Sequence, residues 1–147
     1  TRAESYEFLI QEIRELSHTP VYFFTGFRYA MRLGTICHYL CDYFCYAHDE
    51  AYPGTLRDHL RYERQLRAYI QQHYGTLFVF NALENPPIHG DVEGLIRHLT
   101  SLHNGYLKSE SHSMADDALR AISACLELVF NLLRFSKQAA SEQPAFA

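Results

Sequence analysis

Nine histidines in 147 residues are the side chains of this sequence best suited to hold a metal or to move a proton near neutral pH. His59 and Glu63 stand one helical turn apart, and His112 with Asp117 has the separation found at the end of a hemerythrin-type di-iron pattern. That pattern also requires a His-x-x-x-His pair, and none exists: Leu77 is the fourth residue after His73, and His98 and His103 are five apart. Cys37, Cys41 and Cys45 recur at i, i+4, which is not the Cys-x-x-Cys spacing of a zinc site, and the fourth cysteine, Cys125, has no neighbouring pair. No metal and no cofactor are therefore expected. Gly-x-Ser-x-Gly, a phosphate-binding Gly-rich loop and Gly-x-Gly-x-x-Gly are all absent. The adjacent Asp116 and Asp117 fall at a helix start, where the helix dipole accounts for them.

Arginine followed by histidine after five intervening residues occurs three times, at Arg32 and His38, Arg67 and His73, and Arg97 and His103. When four to six intervening residues are allowed, about two such matches arise by chance in a chain of this composition. Only Arg97 is followed by a polar residue, His98, and lies beside a predicted loop. Here the stretch 95–106 resembles the HEPN superfamily, helical domains in which an Arg and a polar companion precede a His by four to six residues. The resemblance implies metal-independent endoribonuclease chemistry. His103 would act as general acid or base at a ribose 2′-OH, Arg97 would stabilise charge on the scissile phosphate, and His98 would be their companion. It also implies RNA as a partner, a homodimer that completes the site, and a place in a bacterial defence or toxin-type system. Residues six apart on an ideal helix point about 120° apart, so Arg97 and His103 converge only if the helix ends near Leu102. Asn104-Gly105 is the expected break.

Arg57, Arg61, Arg64 and Arg67 form a basic stripe on one predicted helix. It reads either as a solvated face partnered by Asp58 and Glu63 or as a nucleic-acid phosphate contact. The function expected first is a HEPN-like module for self-association and for contacts with protein, nucleic acid or a neighbouring domain. A ribonuclease using Arg97 and His103 is the second reading. The third is a ligand-sensing bundle with a pocket lined by Tyr22, Phe23, Phe24, Phe27, Tyr39, Tyr43 and Phe44.

These residues must be positioned by helices. With 48% apolar residues and a net charge of -4, the chain can bury one core without a metal or disulfide, and it lacks the basic excess of a dedicated duplex binder. Apolar residues at helical spacing predict an all-α, up-down bundle of four to five helices over 1–137, followed by a flexible tail over 138–147. The first helix covers 4–16. A buried central helix covers 21–47, with Phe27, Met31, Gly34, His38, Cys41 and Cys45 as its inward line. Thr55 caps a basic helix from Leu56, and the strand-like run 76–80 stays helical because a lone strand has no partner. Asp91 opens a short helix to His103, and Ser113 with Asp116 caps a last helix to about Phe135. Four unpaired cysteines and the lack of an apolar run of about 18 residues place the chain in a reducing cytoplasm, off the membrane.

Overall fold

Leu9, Ile10, Ile13 and Leu16 recur every three or four residues, and in the computed structural model they form the buried face of the first helix. The structure describes residues 2–22, 26–82, 85–109 and 112–142. Among them are five helices: α1 Arg2–Ser17, α2 Gly26–Tyr43, α3 Leu56–Ala82, α4 Val92–Leu107 and α5 Met114–Glu142. A 3₁₀ turn, Tyr46–His48, joins α2 to the loop before α3, and no strand occurs among the described residues. The all-α class expected from periodicity is what forms. None of the described helices is long and apolar enough to cross a membrane.

Local signals set most of the boundaries. Ser17 donates its hydroxyl to the Arg14 carbonyl at 2.6 Å, and Pro20 follows the end of α1. Thr55 and Asp58 cap α3 reciprocally: the Asp58 N–H donates to Thr55 Oγ1 at 3.3 Å and the Thr55 N–H to Asp58 Oδ2 at 3.0 Å. Asp91 accepts from the Gly94 N–H at 2.7 Å to start α4. The Asp116 N–H donates to Ser113 Oγ at 3.1 Å at the head of α5.

The organising helix is α5, not α2. Ala118, Ala121 and Ala124 allow close approach of neighbours, and Leu128, Leu132 and Phe135 continue the same buried face. That face packs against α1, α2, α3 and α4. Leu16, Leu95, Leu128 and Leu132 are fully buried in this core, and burial of each such side chain contributes about 1.5–3 kcal/mol. The Tyr29 hydroxyl meets Ser136 Oγ at 2.8 Å, and Ser136 donates to the Leu16 carbonyl at 3.1 Å, so this hydroxyl pair ties α1 and α2 to α5.

Four expectations are corrected. The central helix predicted over 21–47 is α2, which stops at Tyr43 because Phe44 and Cys45 turn inward to buried positions. Its inward line is Tyr29, Ile36, Leu40 and Tyr43, whereas Phe27 and Met31 are 77% and 58% exposed. So many apolar residues surround this helix that periodicity supports several faces, and packing against α1 and α5 selects one. Helix α4 passes through Asn104-Gly105 to Leu107, since Tyr106 is drawn into the core and no described residue adopts positive φ. Helix α5 continues past Phe135 to Glu142, so 138–142 of the expected tail are helical, and 143–147 lie outside the described residues.

The cysteines are free thiols. Cys41 and Cys125 approach to 3.5 Å between sulfurs, and Cys125 donates weakly to the Cys37 carbonyl at 3.6 Å, which joins α2 to α5. Burial pushes the Cys45 thiol up to about 12.

Candidate metal centre

One fully buried carboxylate ties three elements together. Asp117 Oδ2 accepts from the Tyr46 N–H at 2.9 Å and from the Tyr62 hydroxyl at 2.8 Å, while Oδ1 accepts from the Tyr106 hydroxyl at 2.7 Å. Tyr46 opens the 3₁₀ turn that ends at His48, and Tyr62 precedes Glu63 on α3. Asp117 therefore fixes His48 and Glu63 relative to each other from beneath. Burial, and then the hydrogen bond to Asp117, raise the phenol pKa of both Tyr62 and Tyr106 above the ordinary 10.0. In the unfolded chain these phenols ionise from about pH 10 upward, while the folded ones keep their protons. Stability is present in full below that pH and is lost as pH rises through it. A thermal melt series from pH 8 to 11 is expected to show this falling limb, and Tyr106→Phe is expected to flatten it.

Above Asp117, three donor atoms converge. His48 Nε2 lies 2.9 Å and His59 Nε2 3.1 Å from the same oxygen, Glu63 Oε1. His59 and Glu63 are one turn apart on α3. The three donor atoms all lie within 4.8 Å of one another, and each side chain is only partly exposed, at 29%, 25% and 40% in the order His48, His59, Glu63. Asp42 on α2 extends the set, with Oδ1 3.7 Å from His48 Nε2 and Oδ2 3.8 Å from His38 Nε2. Asp42 and His48 also border a cleft of about 250 Å³, whose remaining walls are Ser5, Tyr39, Tyr43 and Glu50. Tyr43 and Glu50 continue into a shallower depression that reaches His103 and Leu107.

Within one chain, Arg97 and His103 do not converge. Arg97 is exposed beside Gly94, while His103 packs edge-on against Tyr43 and Phe44 with centroids at 5.1 and 5.9 Å. Because α4 is continuous between them, the two side chains point about 120° apart. His98 turns toward Glu127 on α5, 3.5 Å away. Arg57, Arg61, Arg64 and Arg67 are exposed along α3, with Arg61 3.8 Å from Asp58. Of the aromatic pocket, Tyr22 and Phe27 are exposed, Tyr43 and Phe44 are core, and Phe23 and Phe24 lie outside the described residues. The donor cluster was half visible in the sequence. The one-turn pairing of His59 with Glu63 is legible in the sequence; the equivalent pairing of His38 with Asp42 has the same His-x-x-x-acid spacing, and the two bracket His48.

Residues 1–131 match the zinc dependent phospholipase C family. The chain belongs to that family. No curated protein and no solved structure matches it significantly. Membership overturns the HEPN resemblance, and with it the expected self-association module, the RNA-binding and defence roles, the ribonuclease and the ligand-sensing alternative. A two-residue spacing motif holds far less information than a match along 131 residues. The donors present suit the metal that names the zinc-dependent phospholipases C. Zinc takes imidazole nitrogen and carboxylate oxygen at about 2.0–2.2 Å, so the edges of its tetrahedron are about 3.3 Å. The 2.9 and 3.1 Å separations at Glu63 fall within a few tenths of an ångström of that value.

Proposed function

We propose that this protein is a zinc-dependent phospholipid hydrolase of the phospholipase C type, with His48, His59 and Glu63 holding the metal beside the Asp42 cleft. The observation that carries this reading is the convergence of three zinc-type donors at the edge of a cleft, in a chain that belongs to the family. A zinc ion held there would supply Lewis acidity toward a phosphoryl oxygen and would activate water as a nucleophile near neutral pH.

The chain's own residues select and orient the substrate. Among the described residues, the side chains that line the cleft include two acids, Asp42 and Glu50, and two tyrosines, Tyr39 and Tyr43, with no arginine or lysine. Such a lining suits a headgroup that carries an ammonium, which the carboxylates attract and the tyrosine faces accept. Phe8, 43% exposed, leans edge-on against Tyr39 at 5.3 Å and offers an apolar rim to acyl chains. Asp42 borders the cleft and is placed to take the proton of an attacking water as its oxygen bonds to phosphorus. The bond from phosphorus to the glycerol oxygen then breaks, that oxygen takes up the proton held by Asp42, and the products are diacylglycerol and a phosphomonoester. The four unpaired thiols favour a reducing, cytoplasmic site of action.

The test is release of water-soluble phosphomonoester from phosphatidylcholine, phosphatidylethanolamine and phosphatidylinositol vesicles. Release is expected with zinc and the two ammonium lipids, lost in chelator, restored by zinc, and weaker with phosphatidylinositol. No release from any of the three contradicts the proposal.

A further inference from the structure

A second cluster of metal-type donors lies elsewhere in the molecule and shares no residue with the first. His89 comes from the loop before α4, His98 from α4 and Glu127 from α5. His89 Nε2 is 2.6 Å and His98 Nε2 3.5 Å from the same oxygen, Glu127 Oε1. The imidazole centroids are 5.2 Å apart and the three donor atoms lie within 4.8 Å of one another. The Glu127 side chain is only 6% exposed, and His89 is 14% exposed. A carboxylate this deep is costly unless a cation or strong donors meet it. Arg134 is near in sequence, but its Nη1 donates to the His89 carbonyl and to Asn131 Oδ1, both at 3.2 Å.

The backbone around His89 is held independently of its ring. The His89 N–H donates to Asn131 Oδ1 at 3.0 Å, and Asn131 Nδ2 donates to the Pro87 carbonyl at 2.8 Å and to the Glu127 carbonyl at 2.9 Å. Outer contacts of this kind pre-orient a ligand ring. His98 is the more open member, at 38% exposure, which leaves a side for a metal and a water to enter. Two imidazoles and one carboxylate from three separate segments are the ligand set of a three-protein-ligand zinc site. The 3.5 Å separation already matches a tetrahedral edge of about 3.3 Å. The shorter contact opens by less than an ångström.

We propose that His89, His98 and Glu127 form a second zinc site, distinct from the His48, His59, Glu63 centre, that clasps the loop before α4 to α4 and α5.

The experiment measures zinc per chain by elemental analysis after zinc loading and desalting, on the wild type, His98→Ala, His59→Ala and the double variant. His98→Ala is expected to lose one equivalent relative to wild type, and the double variant one more than His59→Ala. Zinc is expected to raise the melting temperature of His59→Ala but not of the double variant. Wild-type zinc content in both His98→Ala and His98→Gln overturns the second site. Because the comparison between His59→Ala and the double variant contains no intact first centre, the second site stands or falls there whatever becomes of the first. His98→Gln keeps a polar side chain at a half-open position, so loss of metal is separable from loss of fold, which circular dichroism reports.

Discussion

Glu63→Gln is expected to lower zinc-dependent hydrolysis of phosphatidylcholine by more than about 100-fold in kcat/KM, because changes to mere outer partners of a metal already cost roughly 10–100-fold. Glu63 Oε1 is the point at which His48 and His59 meet, at 2.9 and 3.1 Å, so the substitution removes the anionic ligand and the shared acceptor together. Glutamine keeps the length and helix propensity of glutamate on α3. The lost ion pairs involve side chains 25–40% exposed, for which solvent screening leaves well under about 1 kcal/mol. The variant should therefore melt near the wild-type temperature in the absence of zinc and lose its response to zinc. Arg64→Ala, on the same helix but exposed, should hydrolyse lipid like the wild type. Phosphomonoester release from Glu63→Gln at the wild-type rate would remove this residue from the site.

The largest effect on stability is expected at Asp117. Asp117→Ala leaves the Tyr62 and Tyr106 hydroxyls and the Tyr46 N–H without their acceptor inside the protein. Leaving a buried donor without its acceptor costs about 1–3 kcal/mol each, so the loss of all three should amount to several kcal/mol, which for a domain of this size lowers Tm on the order of 10 °C. Asp117→Asn keeps the shape but turns an N–H toward one of the three donors, and should cost about 1–3 kcal/mol. Differential scanning calorimetry checks both. Since Tyr46 and Tyr62 flank the segments that carry His48 and Glu63, the alanine variant should also bind zinc more weakly even where it remains folded. A change in Tm below about 2 °C for Asp117→Ala would mean that the network does not organise this part of the bundle.

What the sequence disclosed depended on how local the cause was. The caps at Thr55, Asp91 and Ser113 are contacts three residues long, and each forms as expected. The amphipathic face of α1 was equally plain. The inward face of α2 was not, because apolar residues cover most of its circumference and only the position of α1 and α5 chooses among them. Asn104-Gly105 has the composition of a helix end, yet the hydrogen bond from Tyr106 to Asp117 keeps α4 going. Both donor clusters follow the same division. The pairing of His59 with Glu63 is a one-turn relation, readable along the chain, whereas His48 arrives from a different element and Glu127 from a helix 29 residues after His98. The Arg97 and His103 spacing was local too, but a local spacing with so few fixed residues recurs without function.

Anomalous diffraction at the zinc absorption edge, from crystals of the wild-type protein grown with zinc, tests the central claim most directly. A peak is predicted about 2.0–2.2 Å from His48 Nε2, His59 Nε2 and a Glu63 carboxylate oxygen. A zinc-loaded crystal with no anomalous density between those three side chains would contradict it.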